Sequence, residues 1–177
     1  MLILASKSPR RRELLSLITT DFEIKSADVD ETLPCGISPQ EAVEYLSRIK
    51  AEPFNNGVDT VIGADTVVAV DDVILGKPAD RQQAAEMLSS LSGKYHSVFT
   101  GVTVIKPEGA VTFSVETRVK FFDLTDDEIY NYAATGECDD KAGAYGIQGK
   151  GSLLVEKIDG DYFNVVGLPI SKLNKYL

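Results

Sequence analysis

Residues 59–70, DTVIGADTVVAV, are apolar at nearly every position and rich in β-branched side chains. A strand with one wet face alternates between apolar and polar residues. A run this continuous reads instead as a strand buried on both faces, in the middle of a sheet with helices against it. One residue breaks the pattern. Asp65 sits at the centre of the run, where a carboxylate is disfavoured and where desolvating it costs several kcal/mol, on the order of ~5, unless a cation or hydrogen-bond donors compensate. Gly63 and Thr66 beside it open the backbone and offer a hydroxyl. A central strand with one acid points to a functional carboxylate, and the alternative is an acid paired with a lysine or a backbone amide.

Working outward, VDDVIL after the run reads as a hairpin turning at Asp71 and Asp72. DRQQAAEMLSSLSG is a helix stopped by Gly93. HSVFTGVTVIK and AVTFSVETRVKFF, joined by a Pro-Glu-Gly turn, read as a long antiparallel hairpin. TDDEIYNYAATG is a helix with Thr125 and Glu128 as capping box. SLLVEKI and DYFNVV read as another hairpin around the Asp159-Gly160 turn. PISKLNKYL is a short terminal helix. Upstream, MLILAS and FEIKSA read as strands. SPRRRELLSLI is a helix with Ser8 as cap and Pro9 at its first position, and SPQEAVEYLSRIKA is a helix capped by Ser38 and Glu41. Helices and strands interleave, yet three connections read as hairpins. The expected fold is therefore α/β with a mixed, curved sheet and flanking helices, in one domain over residues 1–177, with room for two lobes around a cleft.

Composition narrows the function. Of 177 residues, 44% are hydrophobic, enough for a real core, and the net charge is −9. A chain this acidic repels polyanions, which argues against a nucleic-acid polymer as partner. Any anion it binds must be held by a local basic cluster. Two isolated cysteines, Cys35 and Cys138, form no metal or CxxC pattern. The apolar runs are too short for a membrane span or a signal peptide, so a cytoplasmic location is expected.

The basic cluster is at residues 4–15, LASKSPRRRELL. A strand, a turn with Ser6 and Ser8, and a helix start carrying Arg10 and Arg11 make an anion site. Cations oppose the dipole at a helix N-terminus, and a bound anion removes that conflict. The spacing alone fits a solvated basic helix start equally well. VDET follows Asp28 and puts Asp30 and Glu31 in the same loop, hard donors for a divalent ion or a solvated acidic loop. Lys50 lies two helical turns from Val43 and so has its stem near the core side. Lys77 follows a strand and is fixed by Pro78. DKAGAYGIQG (140–149) suits close approach to a ligand, with the Gln148 amide able to read a base edge, or is a turn between elements. His96, the sole histidine, has no catalytic partner in the sequence.

Taken in order, LASKSPRRRELL, VDET, GADTVV, GKP, LSGKYHSVFTGV, DKAGAYGIQG and GLPI closely resemble the Maf family of house-cleaning nucleoside triphosphate pyrophosphatases. The resemblance spans nearly the whole chain. It implies a fold similar to that of the inosine-triphosphate pyrophosphatases, and hydrolysis of a nucleoside triphosphate to monophosphate and pyrophosphate. It assigns catalysis to Asp65, Glu31, Lys50 and Lys77, and substrate binding and specificity to Ser6, Ser8, Arg10, Arg11, Thr66 and Gln148. Glu31 and Asp65 are the expected ligands of a Mg²⁺ or Mn²⁺ cofactor, with base and ligand roles open between them. The family branch that prefers 7-methyl-GTP tends to carry tryptophan, glutamine and glutamate where this chain has Arg10, Thr66 and Gln148. All three positions resemble the dTTP/UTP branch. The chain departs from the family at KAEPF, where Pro53 closes the helix of Lys50 early. The resemblance also implies a homodimer with no membrane partner. Its historical link to inhibition of septum formation leaves a nucleotide-sensing regulator as the rival reading, alongside 7-methyl-GTP hydrolysis.

Overall fold

The computed structural model describes residues 1–177. In chain order the elements are β1 (Leu2–Ala5), α1 (Pro9–Leu15), β2 (Glu23–Lys25), α2 (Pro39–Ala51), β3 (Thr60–Val70), β4 (Val73–Leu75), α3 (Arg81–Leu91), β5 (Tyr95–Lys106), β6 (Gly109–Phe121), α4 (Asp126–Ala133), β7 (Val155–Asp159), α5 (Tyr162–Val166) and α6 (Ile170–Leu173). Short 3₁₀ segments occupy Glu52–Phe54, Ala142–Ala144 and Gly149–Leu154. The seven strands form one mixed sheet in the order β2-β1-β3-β5-β6-β7, with β4 also on β3. The β1 pairings to β2 and β3 are parallel, and all others are antiparallel. No helix is long and apolar enough to cross a membrane.

The apolar run is the sheet's central strand, as its composition requires. Along β3, alternate residues point to opposite faces. On one face Ile62, Ala64 and Val68, with Val98, Val102 and Val104 of β5, lie under two separate apolar clusters. One cluster is closed by α1, α5 and α6 through Leu14, Leu15, Val166 and Leu173. The other is closed by α3 and α4 through Leu88, Leu91, Ile129 and Tyr132. On the opposite face, Val61 and Ile105 pack with Ala51 of α2. The fold thus has two lobes on one face and a single long helix on the other.

Local chemistry explains most boundaries. Ser38 and Thr125 both make complete capping boxes, with Glu41 and Glu128. Asp71 and Asp72 turn the β3–β4 hairpin with φ of 49° and 61°, the left-handed geometry that a two-residue hairpin needs and that aspartate tolerates. The third expected hairpin is not there. DYFNVV forms α5 instead of a strand, and residues 152–154 belong to a 3₁₀ turn. Strand propensity of its aromatic and β-branched residues is overridden by tertiary bonding. Asp161 caps the helix through Phe163 N, and the fully buried Asn164 amide donates to Val98 O and Thr117 Oγ1. Those bonds exist only with residue 164 pointed into the sheet from a helix.

His96 is buried in the α3/α4 lobe, edge-on to Phe121 and Tyr145, with Nε2 on the Tyr145 hydroxyl at 2.7 Å. Burial lowers its pKa from 6.5 to about 4, and burial pushes the Tyr145 phenol far up. The folded protein therefore holds a neutral imidazole where the unfolded chain is protonated. This contribution to stability is complete above pH 6.5 and is lost as pH falls from 6.5 toward 4, by about 3 kcal/mol in total. Urea unfolding across that window should show the loss, and His96→Phe should flatten the slope by about one proton relative to the unchanged protein.

Candidate active site

The site is built where α2 crosses the sheet. A side chain on Gly63 would place its Cβ 2.1 Å from Ser47 O, and one on Gly101 would place it 2.2 Å from Val43 O. Asp65 and Gly101 are paired across β3 and β5. The helix backbone thus rests directly on two strands. It is pinned there by Ser47 Oγ to Thr103 Oγ1 at 2.8 Å and by Ser114 Oγ donating to Glu44 Oε1 at 2.6 Å. This close landing brings Lys50, in the last turn of α2, down to Asp65. Lys50 Nζ donates to Asp65 Oδ1 at 2.5 Å and lies 3.1 Å from Glu31 Oε1. Asp65 is 9% exposed, so its ion pair is largely desolvated, while Glu31 reaches in from an exposed loop. The proline at position 53 does not shorten the reach, because α2 continues through Ala51 before the 3₁₀ turn begins.

The edge of β3 facing away from β5 is paired with β1 over residues 60–63 and with β4 over 68–70. Between them Ala64–Val67 have no strand partner on this edge. β1 and β4 run toward each other along this edge, so Ser6 leaves β1 and Lys77 leaves β4 at opposite ends of the gap. Arg11 fills part of it. Its guanidinium donates to Ala64 O at 2.8 Å, Gly167 O at 2.8 Å, Thr66 Oγ1 at 3.0 Å and Ser6 Oγ at 3.4 Å. Burial lowers its pKa and the Asp65 charge pulls the other way; arginine remains a cation at neutral pH. Arg11 is thus turned into the protein, replacing a missing strand. Ser8 caps α1 by accepting Arg11 N, and Ser6 accepts Ser8 N. Arg10 makes none of these bonds. The Lys141 hydrogen bond, with the Lys141 and Arg10 charges adding to it, holds the Asp140 pKa down. Lys77 and Gln148 are exposed, and neither side chain is tied to another residue. The Lys77 segment touches the glycine-rich one through Gly143 N donating to Gly76 O at 3.1 Å.

Thr66 lies on the face opposite Asp65 and starts a buried polar chain that separates the two lobes. Thr66 Oγ1 meets Thr100 Oγ1 at 2.9 Å, Thr100 Oγ1 donates to Asn164 O at 2.9 Å, and Asn164 Nδ2 reaches Thr117. Because the Thr100 proton goes to a carbonyl, Thr66 is the donor to Thr100. Thr100, Thr117 and Asn164 carry no motif and pair over long sequence separations, so only the fold reveals them. The structure contains no group of three His, Cys, Asp or Glu side chains able to hold a metal. It offers Glu31 and Asp65, two hard oxygen donors beside one ammonium. That set fits Mg²⁺ or Mn²⁺ carried in on phosphate oxygens, since such ions are held by one or two carboxylates plus substrate and water.

Comparison with known proteins agrees with this architecture. The family model described as Maf-like protein matches residues 1–177. A dTTP/UTP pyrophosphatase of Bacillus pumilus is 52% identical, with 99% of this chain and 94% of that protein covered. Proteins of the same name from Geobacillus sp. and Exiguobacterium sibiricum are 51% and 52% identical, covering 97% and 99% of this chain and 93% and 90% of theirs. Among solved structures, the Ham1 protein of Staphylococcus aureus superposes with a TM-score of 0.56 at 16% identity, covering 99% of this chain and 96% of that one. A HAM1 protein of Coxiella burnetii gives 0.53 at 14%, with the same coverage. These two show the fold alone.

The contrast between the adjacent arginines is measurable. Arg11→Ala strips donors from two backbone carbonyls and the Thr66 hydroxyl. It should lower stability by about 3 kcal/mol, the cost of stranding buried acceptors. Arg10→Ala should stay within about 0.5 kcal/mol. Equal losses in urea unfolding would contradict the inward role of Arg11.

Proposed function

The chain belongs to the Maf family, and from that premise we propose that it is a nucleoside triphosphate pyrophosphatase that hydrolyses dTTP and UTP to the monophosphate and pyrophosphate. The observation that carries the reading is the Lys50 ammonium held between Asp65 and Glu31 at the open edge of the central strand. An acid in the desolvated middle of a sheet, an exposed acid and a cation between them suit the attack of water on a phosphoanhydride better than they suit structural support.

In this reading, Asp65 takes the proton from the water that attacks the α-phosphorus. The bond from that phosphorus to the bridging oxygen breaks, and its electron pair leaves with pyrophosphate. Lys50 orients the Asp65 carboxylate and offsets charge as it builds on the phosphoryl oxygens. Arg10 and Lys77, free of other partners, approach the phosphates from the two ends of the gap. The helix contribution is small, because α1 has only seven residues and Ser8 already occupies Arg11 N. Glu31 and Asp65 would hold Mg²⁺ or Mn²⁺, which when bound polarises the phosphate oxygens and acidifies water. On the base side, Gln148 offers a neutral amide, and Thr66, whose proton goes to Thr100, keeps one acceptor lone pair. These suit an uncharged pyrimidine. A methylated, cationic guanine would be better met by an aromatic face and a carboxylate. The same resemblance supports a homodimer as the working unit.

Asp65→Asn keeps the shape of the site and removes the base. Release of pyrophosphate from dTTP with Mg²⁺ should fall by about 10³-fold while dTTP binding persists, and turnover near that of the unchanged protein would exclude Asp65 from the chemistry. A panel of triphosphates compared by kcat/KM should place dTTP and UTP ahead of 7-methyl-GTP. The reverse order would overturn the substrate assignment.

A further inference from the structure

We infer that Glu137 is a positioning residue for base recognition: its carboxylate holds the glycine-rich segment so that the Gln148 side chain is presented to the substrate. The inference rests on the reading above in which Gln148 contacts the base.

Glu137 lies just beyond the C-terminal end of α4 and is half-buried. Its carboxylate accepts Lys150 N on both oxygens, at 3.3 Å and 3.0 Å, and Gly151 N at 3.4 Å. None of the ion pairs in the protein involves it. Its negative charge is therefore spent on the amides that open the 3₁₀ turn Gly149–Leu154, for which Gln148 is the N-terminal flanking residue. The fit is close: a Cβ on Gly149 would lie 3.0 Å from Glu137 Oε2, and Gly149 has a φ of +65°, which favours glycine. The Lys141 ammonium fastens the same corner from below by donating to Glu137 O.

The rest of the segment is fastened at separate points. Gly146 N donates to the Tyr132 hydroxyl at 3.2 Å, and Gly143 N donates to Gly76 O at 3.1 Å. Gly143 leaves no room for a side chain against Val68 of β3. Upstream of Gln148 the backbone is thus tied to the sheet and to α4. Downstream, the carboxylate of Glu137 is the side chain that receives its amides. The Gln148 side chain itself has no partner in the protein. A residue left free on a backbone fixed on both sides is arranged to meet a ligand at low cost in ordering entropy.

The test separates recognition of the base from binding of the phosphates. Glu137→Ala should raise KM for dTTP and UTP about tenfold with kcat within about threefold. It should leave unchanged the inhibition constant of tripolyphosphate, which has the phosphates and no base. Combining it with Gln148→Ala should add little to Gln148→Ala alone, because both changes remove the same contact. Glu137→Gln, which keeps an acceptor oxygen, should recover most of the loss. It also carries the test if the alanine variant does not fold, with a rise in KM of about threefold, again for the nucleotide alone. A KM that rises with Gln148→Ala and not with either Glu137 variant refutes the inference and leaves the base contact standing. Weakened tripolyphosphate binding refutes it by showing a general structural role. No effect of Gln148→Ala removes the base contact and the inference with it.

Discussion

The site depends on how closely one helix lies on the sheet. Two glycines, Gly63 and Gly101, sit on neighbouring strands beneath α2, and a single methyl group on either would overlap a helix carbonyl. The gap between helix and sheet is consequently set by backbone meeting backbone. That contact decides whether a lysine on the helix can lie within 2.5 Å of an acid on the strand. Ser47 and Glu44 then fix the helix along and across the strands. The ion pair alone could not do this. Desolvating an ammonium and a carboxylate costs several kcal/mol each, roughly what their attraction returns, so the geometry must come from the packing around them.

The second constraint is the interrupted edge of β3. Backbone groups buried without partners cost about 1–3 kcal/mol each. A central strand lacking a neighbour on one edge over four residues is unstable there unless something else bonds to it. Arg11 does so with a rigid, planar set of donors that a lysine lacks. It satisfies Ala64 O and ties the same edge to Gly167 and Thr66. The edge stays open to a ligand and yet is not a liability to the fold. From Thr66 the hydrogen bonds continue through Thr100 and Asn164 to Thr117, so the polar chain that begins at the site also forms the seam between the two lobes.

Much of this was legible in the sequence where local rules act alone. Capping boxes at Ser38 and Thr125, the Asp71-Asp72 turn and the long hairpin all depend on contiguous residues. Asp65 stood out because a carboxylate in a buried strand needs a reason. What was not legible depends on contacts between distant segments. Residues 161–166 have the composition of a strand and form a helix because Asn164 bonds to β5 and β6. The direction in which Arg11 turns follows from a gap in the sheet that no stretch of sequence encodes. Glu137 is an ordinary acid after a helix until the segment at 149–151 folds back onto it.

The arrangement also shows how neighbours in sequence acquire different work. Asp65 and Thr66 are adjacent, but strand alternation sends one to the face covered by α2 and the other to the seam between the lobes. Arg10 and Arg11 are adjacent, but about 100° of helical rotation leaves one without a partner in the protein and turns the other into the sheet edge. In the proposed function, a triphosphate lying across the gap would meet the ion-paired acids on one side of β3 and the Thr66 hydroxyl on the other. On that proposal, reaction and recognition would be separated by the thickness of a single strand, and a change on the Thr66 side would leave the acids in place. In the proposed function, such a separation would let one scaffold keep its phosphate chemistry while positions 66 and 148 set which base is accepted.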